Sequence, residues 1–211
     1  MLSRYPFLAG WREAVTQAVV AICQSHRSGN QVMVCGNGGS ASDAEHIVGE
    51  LVKQFKLPRY PDESQKELLK KSVGEAQGEL LAANLQCGVR AISLVSQTSL
   101  TTAVANDTDA TFIFAQQVFV YGKPGDVVWG ISTSGNSRNV VQALQVAKAF
   151  GMTTIGMTGE RDCMMDSCCD IILKAPSNET YQVQECHLPM YHAICLMVEE
   201  ELFGESSTET Q

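Results

Sequence analysis

Asp126-Val127-Val128-Trp129-Gly130-Ile131 runs directly into Ser132-Thr133-Ser134-Gly135-Asn136-Ser137, and the fold follows from how this stretch reads. Its first half is a near-continuous apolar run, as expected of a strand covered on both faces in a parallel sheet. Its second half is a turn, and a helix is expected to follow over Ser137–Phe150. Runs of the same apolar kind predict strands at Gln31–Gly36, Val89–Val95, Val127–Ser132, Met152–Thr158 and Ile171–Ala175. Helical patterns fall between or after them, at about Ser40–Phe55, Leu100–Ala105 with Thr111–Tyr121, and Glu179–Leu202. Strand, turn and helix repeated in this way predict a doubly wound α/β fold. Ligands of such sheets lie beyond the carboxyl ends of the strands, so the loops that follow strands carry the information.

The chain has 211 residues, 45% hydrophobic and 18% charged, with a formal net charge of −8. That length suits one domain with a full core. The acidic balance argues against nucleic acid or an anionic membrane as partner. It leaves room for a small phosphorylated ligand, which backbone N–H groups and hydroxyls can hold. Several of the eight cysteines, such as Cys35 and Cys195, sit inside apolar runs and read as buried hydrophobes; Cys163, Cys168 and Cys169 lack metal-ligand spacing. Trp11, Val15, Val19 and Ile22 recur at helical spacing, broken by Arg12 and Glu13, which predicts an amphipathic helix and not a signal peptide. A cytoplasmic location is expected.

One domain is expected over 1–203, with 204–211 as a frayed tail. A polar excursion at Pro61–Cys87 interrupts the rhythm. Its apolar residues Leu69, Val73, Ala76, Leu80, Ala83 and Cys87 alternate by four and three, the pattern of a one-faced helix that packs on the body or on a neighbouring subunit. Gly74 and Gly78 weaken that helix.

Two loops carry anion chemistry. The turn at Ser132–Ser137 holds four hydroxyls and a glycine at a helix N-terminus, where free N–H groups and the positive dipole end point outward. One helix cap needs one such residue, so the density favours phosphate. The first strand ends in Cys35-Gly36-Asn37-Gly38-Gly39-Ser40-Ala41. That loop lacks both the GxGxxG spacing and the P-loop lysine, so no nucleotide cofactor is expected. On the next helix Asp43, His46 and Glu50 share a face. A His and a Glu four apart suit one metal ion or an acid–base pair. The last helix offers Gln184, Glu185, His187 and His192. Gln184 and His192 lie eight residues apart, about 12 Å along the axis, so geometry does not compel them to share an ion, and His187 competes with His192.

These motifs, together with Asp-Ala-Glu-His-Ile-Val-Gly-Glu-Leu (43–51), Ala-Asn-Asp (105–107) and Gln-Glu-Cys-His (184–187), resemble sugar isomerase (SIS) domains of the phosphoheptose isomerase type. The resemblance spans nearly the whole chain. It implies a five-stranded flavodoxin-like parallel sheet flanked by helices, and a homotetramer, or at least a dimer, with sites built between subunits. The implied activity converts sedoheptulose 7-phosphate to D-glycero-D-manno-heptose 7-phosphate through an enediol. Ser132, Thr133, Ser134 and Ser137 would hold the phosphate. Asn37, Gly38, Gly39, Ser40, Asn106 and Asp107 would line the sugar, with Glu50 and Gln184 also in contact. Glu50 as base and His192 as its acid–base partner, or the two exchanged, would move the protons. His46, Glu50, Gln184 and His192 are the implied ligands of the zinc ion that some members bind, one per subunit.

Three features depart from that pattern: the excursion itself, Lys53-Gln54-Phe55 in place of a Gly-Arg-Tyr stretch, and Tyr181 in place of an Asp. Competing expectations are a non-catalytic sugar-phosphate sensor, of the kind that binds a replication initiator, and an isomerase or deaminase for an amino-sugar phosphate.

Overall fold

The computed structural model describes residues 3–204. Five strands form one parallel sheet: β1 (Val32–Gly36), β2 (Ala91–Ser93), β3 (Val127–Ile131), β4 (Thr153–Thr158) and β5 (Ile171–Lys174), in the order β2-β1-β3-β4-β5. The register pairs Val34 with Trp129 and Trp129 with Ile155 across the centre. This order turns back at β1 and β3, the switch point at which such sheets open a crevice. The second strand is shorter than its apolar run, because it is the sheet edge and pairs on one side alone.

Alternation along the strands divides the core into two layers. Val32, Val34, Val127, Trp129 and Ile131 pack against α1 (Arg12–Arg27), α2 (Gly39–Val52) and α8 (Thr180–Phe203). Met33, Cys35 and Val128 pack on the opposite face against α6 (Ala115–Tyr121) and α7 (Arg138–Ala149). The amphipathic N-terminal helix forms as its spacing predicts, with Val15, Val19 and Ile22 buried. Among the described residues no helix is long and apolar enough to cross a membrane. The tail expected at 204–211 falls, beyond Gly204, outside the described residues.

The excursion differs from the single helix that its spacing suggests. It is a hairpin of α3 (Glu63–Val73) and α4 (Glu75–Asn84), broken at Gly74, whose φ of 88° favours glycine. Asp62 and Gln65 form a capping box that starts α3. A side chain at Gly78 would strike the Lys70 backbone, so the glycine that weakens α4 lets the two helices close on each other. Lys70 then reaches Glu75 at 2.8 Å and Glu79 at 3.4 Å across the hairpin. No residue of α3 is buried, and Leu68 and Leu80 are 67% and 57% exposed. The stems meet where the Cys87 N–H donates to the Arg59 carbonyl at 2.7 Å. Because the ends are already closed, replacing 62–85 by a short Gly-Ser turn costs little loop entropy. Tm by circular dichroism is expected to stay within about 3 °C; loss of the folded signal would show that the hairpin holds the body together.

A second segment buries nothing. Short helix α5 (Thr98–Val104) leads into a π-helical turn, Ala105–Asp109, and a 3-10 turn, Ala110–Phe112, none with a buried residue. Helix was expected from Thr111, but α6 starts at Ala115.

Candidate active site

The anion loop forms where the strand pattern puts it, between β3 and α7. Ser137 stands at the N-cap, yet it makes no side-chain cap hydrogen bond. Its hydroxyl lies 2.9 Å from the Ser132 hydroxyl, and Ser132 lies 3.5 Å from the Ser134 hydroxyl. The hydroxyls therefore gather on each other and are not spent on the helix end, which removes the ordinary-cap reading. A small cavity beside them is lined by Thr133, Ser134, Asn136, Gly159 and Arg161. Gly135 takes φ 63° and faces Cys163, and the Met165 N–H donates to the Gly135 carbonyl at 3.1 Å, so the next loop clamps this one.

The glycine loop after β1 lies beside it. Asn37 and Asn139 exchange two amide hydrogen bonds of 2.9 Å, which tie the β1 loop to α7. Ser40 is buried. Gly39 lies against the Gln184 amide, so a side chain there would displace it. Asn106 and Asp107 bond to each other at 2.8 Å in the exposed π-turn.

The acid–base residues gather elsewhere. His46 Nε2 lies 3.1 Å from Glu50 Oε1, as their spacing of four on α2 predicts. Tyr191 of α8 places its hydroxyl 2.9 Å from His46 Nδ1 and 3.4 Å from Asp43 Oδ1. The His192 ring sits 5.1 Å from that of His46, 4.9 Å from Tyr191 and 5.3 Å from Phe55. Phe55 thus belongs to the departing Lys53-Gln54-Phe55 stretch and walls the imidazole. Glu50 Oε2 and His192 Nε2 are buried without any hydrogen-bond partner; Lys53 stands 3.9 Å from the former, beyond hydrogen-bond reach. Unsatisfied buried polar atoms are costly; these two belong to the residues expected to move protons, and Thr101, Gln117, Trp129, Gln142 and His187 each hold another among the described residues. Burial first, then His46, hold His192 below the usual imidazole range against the opposing pull of Glu50. Its ring is neutral at pH 7 and free to accept a proton.

The rival His187 lies apart from this group. It is fully buried, and burial lowers its pKa to about 4 while its Nε2 meets the Thr158 carbonyl at 3.4 Å. Gln184 is not brought to the other implied metal ligands. It packs on Gly39, at the start of α2, whereas His46, Glu50 and His192 meet toward the helix's far end. Among the described residues no group of three or more His, Cys, Asp or Glu side chains is placed to hold a metal ion. His46, Glu50 and His192 suit zinc as donor types, and Glu50 Oε2 and His192 Nε2 are uncommitted; His46 Nε2 is engaged with Glu50.

Spacing separates the two poles. Glu50 follows Gly39 by eleven residues on one helix, about 16 Å along its axis. The neighbouring Leu51 carbonyl accepts from the Val89 N–H at 2.9 Å, beside the start of β2. The acid–base pair thus lies toward the amino edge of the sheet, away from the anion loop at the carboxyl edge.

Sequence motifs did not point to Tyr191, Asn139 or the pair Arg59–Glu199. Arg59 donates to Glu199 Oε1 at 2.9 Å and to the carbonyls of Leu51 and Glu50 at 2.8 and 3.2 Å. It is a buried basic residue near the departing stretch, and it faces inward. Tyr181 is exposed and accepts a bond from Gln182.

The SIS domain family profile matches residues 7–65 and 80–159, leaving out most of the hairpin. A phosphoheptose isomerase of Clostridium acetobutylicum is 38% identical over 197 residues, 93% of this chain and 87% of that protein. The solved phosphoheptose isomerase of Neisseria gonorrhoeae superposes with a TM-score of 0.71 at 29% identity, covering 90% of this chain and 87% of the other. That of Francisella tularensis gives 0.73 at 28% identity, covering 90% and 86%.

Proposed function

The chain belongs to the SIS domain family, among the phosphoheptose isomerases, and from that premise we propose how its residues perform an aldose–ketose isomerisation of sedoheptulose 7-phosphate. The observation that carries the reading is the pair of buried, unpartnered atoms, Glu50 Oε2 and His192 Nε2, on facing helices. Five other described residues also hold an unpartnered buried atom; what sets these two apart is that an acid–base carboxylate and imidazole lie together around His46.

Glu50 Oε2 takes the proton from C1 of the ketose, and the electron pair moves to form the C1–C2 enediol. His192 carries the hydroxyl proton from O1 to O2. Glu50 then returns its proton to C2, which yields the aldose with no net change in protons. His46 donates to Glu50 Oε1 and keeps the carboxylate oriented through both steps. The phosphate is held by Ser132, Thr133, Ser134 and Ser137 with the dipole of α7. Asn37, Gly38, Gly39, Ser40, Gln184, Asn106 and Asp107 line the sugar. Zinc, where bound, would be held by Glu50 Oε2 and His192 Nε2, with His46 joining only by giving up its contact with Glu50, and would supply Lewis-acid stabilisation of the enediolate; metal content of the purified protein checks this. The enzyme works in the cytoplasm.

The two poles of one chain lie too far apart for a single sugar phosphate. One active site therefore takes its anion loop from one subunit and its acid–base pair from another, in a homotetramer or at least a dimer. The bare surfaces of α5 and of the α3–α4 hairpin support assembly.

A complementation assay tests this. Ser134→Ala with Ser137→Ala removes two phosphate hydroxyls and is expected to raise KM roughly tenfold or more, at about 1 kcal/mol each. Glu50→Gln removes the base. Mixed after co-refolding and assayed at low sedoheptulose 7-phosphate, the two variants should show more turnover than either alone. Mixtures no better than the average of the parents would place each site within one subunit. An unchanged KM would remove the phosphate assignment.

A further inference from the structure

The hydroxyl loop carries no charged side chain between Ser132 and Ser137. A phosphate monoester brings close to two negative charges at pH 7, and hydrogen bonds from ionised donors are roughly twice as strong as those from neutral ones. The cavity beside the loop holds about 150 Å³. That is small against the roughly 300–1,000 Å³ of ordinary ligand sites, so it suits one anionic group and not a whole sugar. Three neighbouring strand ends wall it: Thr133 and Ser134 after β3, Gly159 and Arg161 after β4, and Asn178 after β5.

Gly159 draws these ends together. Its N–H donates to the Thr133 carbonyl at 3.0 Å, and a side chain there would strike the carbonyls of Thr133 and Ser177. Two residues on, the Arg161 N–H donates to Asn178 Oδ1 at 3.2 Å, and the Arg161 carbonyl accepts from Lys174 Nζ at 3.3 Å. The backbone is thus pinned at the rim, while the Arg161 guanidinium makes no hydrogen bond or ion pair among the described residues. Asp162 lies on the same wall, but Lys174 meets its carboxylate at 3.5 Å and that of Asp166 at 2.9 Å. Arg138, which follows the loop, does not line the cavity. It lies near Asp109, whose carboxyl is held below the usual range by hydrogen bonds from Thr111 and then by Arg138.

We propose that Arg161 is a substrate-binding residue of the isomerisation: its guanidinium pairs with the phosphate at the Ser132–Ser137 loop and supplies the charge that the hydroxyls lack. The proposal rests on the reading of that loop as the phosphate site. A guanidinium fork matches two oxygens of a phosphate. Arg161 is exposed, so its attraction is screened by salt. It stands at the anion pole, away from Glu50 and His192, and acts on binding and not on proton transfer.

The test uses the full chain with inorganic phosphate as probe, titrated by calorimetry, which does not depend on turnover. Arg161→Gln should weaken phosphate binding on the order of tenfold. Arg161→Lys should recover part of the loss, since lysine keeps the charge without the fork. Between about 0.05 and 0.5 M sodium chloride, the wild-type affinity should fall more steeply than that of Arg161→Gln. For sedoheptulose 7-phosphate, Arg161→Gln should raise KM by a similar factor with kcat within about twofold, and Arg138→Gln should change neither. Unchanged phosphate affinity in Arg161→Gln, or an equal loss in Arg138→Gln, would overturn the proposal. So would a lowered kcat with KM unchanged. If Ser134→Ala with Ser137→Ala binds phosphate as the wild type does, or the wild type binds none, the reading of the loop fails and takes Arg161 with it. If that double variant binds weakly and Arg161→Gln does not, the role of Arg161 alone fails.

Discussion

Glu50→Gln and His192→Asn are each expected to lower kcat for sedoheptulose 7-phosphate by about 100- to 10,000-fold, with KM within about threefold. Glutamine keeps the shape of Glu50 and its place beside His46, but its amide cannot take a proton from carbon. Asparagine at 192 keeps a polar group of smaller size and removes the imidazole shuttle. Both side chains present their unpartnered atoms inside the site, so neither substitution removes a bond that holds the fold. The two losses should not add, because they interrupt the same transfer. Steady-state kinetics of the single and double variants, with melting curves beside them, decide the matter. Turnover retained in Glu50→Gln would end its role as base. A wild type without turnover would leave the phosphate-binding fold in place and turn attention to another sugar phosphate, then to a sensor.

The second large effect is on stability. Arg59 and Glu199 are buried, 3% and 1% exposed, and their charges meet at 2.9 Å. Glu199 also accepts the N–H groups of Phe55 and Lys56, each at 2.8 Å. Burial alone would raise the Glu199 pKa, yet the backbone N–H groups of Phe55, Lys56 and Leu57 together with Arg59 bring it below the usual carboxylate range. Arg59 lies over the Phe203 ring at 4.6 Å and donates to the last turn of α2. Arg59→Met fills much of the same volume but leaves a buried carboxylate without its counterion. Such a change costs about 3–5 kcal/mol, and at this chain length Tm should fall by roughly 10 °C. Because the same guanidinium pins the end of α2 that carries Glu50, kcat should fall too. A Tm lowered by less than about 2 °C would mean that water reaches the carboxylate and that the pair contributes little.

Much of the site was legible because it is local. The apolar runs of the five strands alternate with helical periods, and that rhythm is enough for the parallel sheet. The anion loop is contiguous, so its hydroxyls are together in the sequence before they are together in space. His46 and Glu50 share a helix face at a spacing of four, and their 3.1 Å contact is the direct consequence. For the excursion, apolar spacing continues through Gly74 and predicts one helix. A positive φ at that residue decides otherwise, and periodicity does not encode it.

What the sequence by itself determined was therefore the sheet, the hydroxyl turn at the start of α7 and the order of motifs that identifies the family. The tertiary structure alone decided which groups meet across helices. Tyr191 reaches His46 over 145 positions, and Arg59 reaches Glu199 over 140. Packing buried His187 against Thr158, turned Gln184 onto Gly39 and gathered His46, Glu50 and His192 at the opposite edge of the sheet from the hydroxyl loop. Contacts within one helix follow from its fixed rise and turn. Contacts between helices depend on how two faces pack over the same sheet, and no spacing along the chain carries that information.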